Sequence, residues 1–555
     1  MKHIFKKFGI ILLVLASISC DLNSDLQDPN QISVDGADID LIMNSVHADF
    51  ASYFSNVTSV GAQLTRLVSM TAGDRYATAI RSTTTNDVWF FAYQRVLVNA
   101  QTVIALSQPE EGRPDRTTHR AVAQILSAYV YMSLVDVYGD IPQSEALQGP
   151  DGIFNPTASA DGGAAVYNYA LSLLDAARVE LAKTGSATGP ALARDPYYAG
   201  NRARWNALAN TLELKYWMNL SVSSRAAEAK TKIDALLAQD LIDTEAENFT
   251  YKYAAVTVPP SRHPLYDQYY DPIRGAAGGY IGNYYQKELF DGYPGVQDPR
   301  WRYILYRQVG SNAQAFKIDP KNVGCGTRPE HYAPTDVWCQ FEPGFYGRDH
   351  GDDSGTNPDS PFITAAGVYP AGGKLDNKPT TDRTFHEPTI RGDGANGAGI
   401  QPIWMSFFTD FMKAEHLARN NQDAKAQLAT AIGNSITQIR NFVTSKGFSL
   451  SAGLEPSTSA YQSTVATAYD KAAVKMNVVG REFYMSTFGN GLEAYNLYRR
   501  TGAPSNMQPT RVPNPGTFYH AYVYPATYVN LNSNAAQKDL DNPAPPFWDP
   551  KLTLK

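Results

Sequence analysis

Three carboxylates, Asp349, Asp352 and Asp353, crowd with His350 into the stretch Tyr346-Gly-Arg-Asp-His-Gly-Asp-Asp. Calcium takes several carboxylate and carbonyl oxygens from one flexible loop, so a structural calcium site is one reading and solvated loop carboxylates the other. Gly351 stands where an EF-hand would place a ligand, and the spacing therefore does not fit that motif. Cys325 and Cys339 lie fourteen positions apart, and in an exported protein they could close a disulfide worth about 3 kcal/mol. Zinc held by Cys325, His331, Cys339 and His350 would need a spacing unlike familiar zinc sites. Nucleophile-elbow and HExxH templates are absent. A glycosidase needs only two suitably spaced carboxylates, and among 54 acidic residues some pair always qualifies, so that signal is empty.

A different chemistry is suggested by tyrosine. Nine of the chain's 34 tyrosines fall between Tyr266 and Tyr306, a local excess that calls for a reason. Tyr266, Tyr269, Tyr270, Tyr280, Tyr284, Tyr285 and Tyr293 are interleaved with Gly275, Gly278, Gly279 and Gly282, which disfavours a buried helix. One expectation is a loop-borne aromatic surface that stacks on the C–H faces of sugars, contributed chiefly by Tyr266, Tyr280, Tyr284 and Tyr293. The other is that these rings pack long loops onto the rest of the fold.

Cys20 sits at a sharp junction. Lys2, Lys6 and Lys7 precede an apolar run of eleven residues, Phe8 to Ile18, the layout of a secretory signal. A membrane-crossing helix needs about 20 apolar residues, so this run is too short, and no later run is expected to span. Ala16, Ser17 and Ser19 ahead of Cys20 resemble the bacterial lipobox, which implies acylation of the thiol, a signal peptide over 1–19 and a flexible tether over 20–40. The net charge of −6 leaves no basic excess to neutralise phosphates, which argues against nucleic-acid partners.

Helical periodicity positions these groups. Trp89, Tyr93, Val96, Ala100 and Val103 recur at spacings of four and three, as do Val122, Ile125, Tyr129 and Met132, and Trp205, Leu208, Leu212 and Tyr216. Further segments near 38–56, 162–184, 224–238, 404–446, 460–478 and 481–500 read the same way. The pattern predicts a mainly α fold of stacked, tetratricopeptide-like helix pairs, although no 34-residue repeat is visible. Between Phe341 and Pro402, 18 of 62 residues are Gly or Pro, which forbids long helices there. One domain is therefore expected over 41–555, with a helical scaffold over about 41–250 and 404–510 and a loop-rich, ligand-side region over about 251–403.

Leu134 to Leu147 reads LVDVYGDIPQSEAL, and with its preceding helix it resembles the signature of SusD/RagB outer-membrane lipoproteins. Trp205-Asn-Ala-Leu-Ala-Asn-Thr-Leu-Glu-Leu-Lys, Asp298-Pro-Arg-Trp, Tyr346-Gly-Arg-Asp-His-Gly-Asp, Arg499-Arg-Thr-Gly-Ala-Pro and Pro546-Phe-Trp-Asp are similar to family segments in the same order. Val523-Tyr-Pro-Ala-Thr-Tyr-Val-Asn departs from the pattern, having Thr527 and Tyr528 in place of an acidic residue. The resemblance implies a SusD-like helical superhelix anchored in the outer membrane and facing the exterior. It further implies a partner, a SusC-like TonB-dependent transporter, over which the protein acts as a lid delivering an oligomeric nutrient. That nutrient is most often an oligosaccharide or polysaccharide, with peptide capture as the variant. By position in the family, Asp74, Arg75 and Tyr76 are implied ligand contacts. No enzymatic activity and no cofactor beyond the calcium already considered are implied. A glycoside hydrolase and a transporter adaptor that binds no ligand are the competing functions.

Overall fold

A computed structural model of the chain describes residues 38–148, 154–257, 261–270, 279–308, 327–338, 344–353, 363–381 and 389–552. The leader, Cys20 and most of the tether, and the pair Cys325 and Cys339, lie outside the described residues.

The first long helix, α1 (Ile39–Leu64), starts at Asp38, whose carboxylate accepts the Asp40 amide at 2.9 Å. Its buried face, Met43, Val46, Phe50, Phe54, Val57, Gly61 and Leu64, keeps the helical spacing of three and four. The next helix, α2, is built of Asn86–Phe91, a π-helical stretch Ala92–Leu97, and Val98–Leu106. Sequence periodicity found this helix but not its π segment, because one widened turn barely disturbs a three-and-four pattern.

Helix α3 (Thr117–Tyr138) is buried at every residue. It is long and apolar enough to cross a membrane, against the expectation that no such run follows the leader, yet it lies wholly inside the protein. Its chief polar member, Asp136, accepts hydrogen bonds from Asn219 and Trp548 at 3.1 Å, from Asn496 at 2.7 Å and from the Tyr167 hydroxyl. A buried carboxylate with this many partners ties together four parts of the chain. The helix stops at Gly139, whose φ of +77° suits glycine, and Asp140 then accepts the Gly163 amide at 2.7 Å to open α4 (Gly163–Ala182). The Gly-Asp-Ile-Pro stop thus joins an antiparallel helix pair, the most extensively packed pair in the fold.

Asn201 caps α5 (Arg202–Leu220) through the Arg204 amide at 3.1 Å, and α6 (Ala226–Leu236) packs against it. Strand β1 (Phe249–Lys252) then pairs antiparallel with β4 (Ile400–Trp404), closing the base of everything between them. Within that excursion lie α7 (Pro264–Tyr270), α8 (Asn283–Asp291) and the short pair β2 (Leu305–Tyr306) and β3 (Ala365–Ala366). The last helices are α9 (Ser406–Arg419), α10 (Lys425–Ser445), α11 (Thr458–Lys471), α12 (Lys475–Met485) and α13 (Gly491–Thr501). The expected run 404–446 is therefore two helices, and 481–500 breaks after Met485.

Helix α13 returns to pack on α1. Gly61 and Gly491 make the contact possible, since a methyl on Gly61 would sit 2.5 Å from the Gly491 carbonyl oxygen. The Asp298-Pro-Arg-Trp segment fastens the excursion to these last helices. Fully buried Arg300 pairs with Asp298 at 2.6 Å and with Glu482 of α12 at 3.0 Å. The architecture is mainly helical, with stacked pairs and very little sheet among the described residues.

Candidate ligand-binding site

The tyrosines settle first. Tyr266, Tyr269, Tyr270, Tyr284 and Tyr285 lie on helices α7 and α8 rather than on loops, and all are buried. Tyr266 and Tyr270 stack with ring centres 4.4 Å apart, Tyr270 donates to the Ala366 carbonyl at 2.8 Å, and Tyr284 donates to Asn506 at 3.1 Å. Tyr280 is 9% exposed with the Arg348 guanidinium 4.9 Å over its ring, and half-buried Tyr293 carries Arg481 at 4.6 Å. This corrects the expected aromatic surface: these rings pack the excursion onto the scaffold. Glycine-rich spacing weakens a helix locally, but here two short helices form between the glycines and tertiary burial holds them.

The acidic stretch is likewise occupied. Asp349 is buried and accepts from Asn283 at 3.0 Å and Gln508 at 2.8 Å, while Asp352 pairs with Arg348 at 3.1 Å and with Arg511. Asp353 is exposed. Among the described residues no three His, Cys, Asp or Glu side chains gather where they could hold a metal, so the set expected for calcium is not assembled. Burial and the nearby Arg66 keep the His350 imidazole well below its ordinary range and hence neutral.

The segment from Thr71 to Tyr76 lies between two cavities. On one side Tyr76, buried and opening a one-turn helix, helps line a cleft of about 580 Å³ with His331, Asp336, Phe518 and the proline-rich segment 509–515. Asp74 is half-buried and Arg75 exposed, and neither lines either of these two clefts. On the other side Thr71 and Ala72 line a cleft of about 370 Å³ between α1 and α7. That volume suits one or two small rings.

The α1/α7 cleft has a distinctive chemistry. Ser55, Thr58, Ser59 and Gln63 come from α1, His263 and Gln268 from the start and middle of the α7 segment, and Gln401 from β4. Among the described residues no Asp, Glu, Lys or Arg lines it. Burial drives His263 down to about 3, its Nδ1 accepts the Leu265 amide at 3.1 Å, and the ring is therefore uncharged at ordinary pH. Gln401 is 3% exposed; its Nε2 donates to the Ala51 carbonyl at 3.0 Å and the Tyr253 hydroxyl lies beside its amide, while its Oε1 accepts no hydrogen bond of good geometry. A buried carbonyl left without a donor costs free energy until a ligand or water supplies one. Phe54 and Phe488 complete the walls. Neutral amides and hydroxyls around an apolar floor can hydrogen-bond polyols but offer no counter-charge to ions.

Residues 29–332 of the chain match the model of the SusD-like family described as starch-binding and associating with the outer membrane. The chain belongs to the SusD-like family. Its members are nutrient-binding, generally non-catalytic proteins associated with the outer membrane. Solved structures agree in fold. A SusD/RagB family protein from Bacteroides thetaiotaomicron superposes with a TM-score of 0.65 at 17% identity, covering 92% of this chain and 99% of that one. A Bacteroidetes SusD-like protein gives 0.64 at 16% identity, with 93% and 100% covered. A chitin-binding SusD homolog from Flavobacterium johnsoniae gives 0.58 at 17% identity, with 91% and 99% covered. No curated protein sequence matches the chain.

Sequence reasoning thus reached the family, and of Asp74, Arg75 and Tyr76 only Tyr76 lines one of these clefts, none of them the α1/α7 cleft. It missed Ser59, His263, Gln268 and Gln401. These are ordinary residue types that carry no local signal, and only the fold brings segments some 350 positions apart, such as Ala51 and Gln401, into contact.

Proposed function

We propose that the mature chain is a surface lipoprotein, anchored through acylated Cys20 after loss of residues 1–19, that captures a neutral oligosaccharide in the α1/α7 cleft. It delivers that cargo to a SusC-like TonB-dependent transporter by acting as its lid, with no covalent step. The observation that carries the ligand class is the uncharged lining of the cleft together with the unpartnered Gln401 carbonyl. Sugar hydroxyls supply donors to that carbonyl and to the glutamine amides, whereas a peptide brings termini and charged side chains that this cleft does not pair. The family's starch-binding description and the chitin-binding homolog from Flavobacterium johnsoniae support the same class.

The test is direct. Ser59 is exposed on α1 at the cleft wall, so Ser59→Trp fills the space without entering the core. Calorimetric titration with maltohexaose and chitohexaose should show saturable binding to one of them, weakened at least roughly tenfold by the substitution. Undiminished binding by the variant would place the site elsewhere.

A further inference from the structure

A third cavity, of about 290 Å³, opens in the helical scaffold and shares no lining residue with the α1/α7 cleft. Three helices make it. Leu97, Gln101 and Ile104 form a strip on α2, Gln124, Ser127 and Tyr131 a strip on α3, and Tyr169 with Leu173 a strip on α4. Each set keeps the spacing of one helical face. The rim is the segment after the Gly-Asp-Ile-Pro stop, where Asp161 accepts from the Gln143 and Ser144 amides at 2.7 and 2.8 Å and from the Ser144 hydroxyl at 2.7 Å. That carboxylate is engaged with the rim, and among the described residues no charged side chain lines the cavity itself.

Three further features mark this cavity as more than a packing gap. Gln124 is 8% exposed and its side-chain oxygen is buried without a hydrogen-bond partner, on a helix whose Asp136, near the C-terminal end, is fully partnered. Tyr169, by contrast, keeps 37% of its surface exposed while standing edge-on to Tyr131 at 5.5 Å, an aromatic left at the mouth in a fold that buries most others. The π-helical stretch Ala92–Leu97 ends at the first lining residue of α2 and so sets the phase in which Leu97, Gln101 and Ile104 face the cavity. Such widened turns recur at functional sites.

We infer that this cavity is a second binding site, for a single neutral, hydroxyl-rich ring such as one sugar residue. A ring hydroxyl donates to the Gln124 oxygen, the Gln101 amide and Ser127 hydroxyl take further hydrogen bonds, and the Tyr169 ring lies against the C–H face. The cavity is at the small end of ligand-holding volumes, which limits it to one ring and to low affinity.

The inference rests on the reading of the protein as a glycan binder, and one set of titrations separates the two. Wild type, Ser59→Trp, Tyr169→Ala and Gln124→Leu are each titrated with maltohexaose and chitohexaose, by calorimetry and by saturation-transfer NMR, after thermal melts confirm folding. Tyr169→Ala trims a partly exposed ring and Gln124→Leu is nearly isosteric, so at least one variant retains the fold. The expected result is a weak event that survives Ser59→Trp and is weakened roughly tenfold by Tyr169→Ala and by Gln124→Leu. Titrations of both variants that superimpose on wild type, with Ser59→Trp abolishing all binding, overturn the second site and leave the α1/α7 reading standing. Binding untouched by Ser59→Trp and lost in Tyr169→Ala overturns the α1/α7 reading and keeps this one. A wild type that binds neither hexaose overturns both.

Discussion

Arg500 shows how much of this fold depends on single buried charges. Its guanidinium is completely enclosed and meets Glu415 of α9 at 2.8 Å and Glu493 of α13 at 3.7 Å, with Asn219 accepting at 2.8 Å. Replacing it with methionine leaves Glu415 with Arg419 and Glu493 with Lys215 as their remaining cations, and Arg500→Met should lower stability by about 3 kcal/mol in urea denaturation. Burial pushes the Glu415 carboxyl up, but Arg500 and Arg419 outweigh burial and hold it below 4.5. The stabilisation from that group is therefore present above pH 4.5 and lost as pH falls through its lower folded value. His263 acts over a wider window. Its folded value of about 3 lies below the ordinary 6.5, so between these limits the unfolded chain takes up a proton that the folded chain refuses. Its contribution falls by about 1.4 kcal/mol per pH unit as the solution is acidified from 6.5. Melting temperature should accordingly drop below pH 6.5, while oligosaccharide affinity stays level from pH 5 to 8, because the described residues of the cleft wall include no other side chain that titrates in that range. Calorimetry across that range checks both, and an inflection of affinity near 6.5 would show that His263 titrates in the folded protein.

Among the elements, the crossing of α1 and α13 is the tightest constraint. Gly61→Ala would push a methyl within 2.5 Å of the Gly491 carbonyl oxygen, and the resulting overpacking should cost about 1–3 kcal/mol in a denaturant titration. A fully tolerated alanine would mean that the helices can separate without loss. Helices were readable from sequence because each presents one apolar face, as along Met43 to Leu64, and because stops such as Gly139 and caps such as Asn201 act locally. What could not be read is non-local. The tyrosines of α7 and α8 look like loop residues next to so many glycines, and their burial comes from partners such as Ala366 and Asn506 far along the chain. The π segment of α2 escapes a periodicity argument because the apolar spacing continues across it, whereas the break between α9 and α10 carries a local signal in Asn420-Asn421-Gln422-Asp423, with Asn421 at a φ of +57°.

At the scale of the whole molecule, the β1/β4 ladder gathers both ends of the excursion onto the scaffold, and α7 is thereby set opposite α1 with the cleft between. If the chain works as a tethered lid, the anchor and the grip are separable. Cys20→Ser should abolish incorporation of labelled palmitate and release the protein from the membrane fraction without altering oligosaccharide affinity, and a membrane-bound Cys20→Ser protein would contradict acylation as the anchor. The most direct test of the central claim is a co-crystal structure of the mature chain with the hexaose that binds more tightly. The account predicts a sugar ring between α1 and α7, with a hydroxyl donating to the Gln401 carbonyl and an amide of Gln268 or Gln63 within hydrogen-bonding reach. A ligand seated instead against Tyr76 and Phe518, with the α1/α7 cleft holding only water, would contradict it.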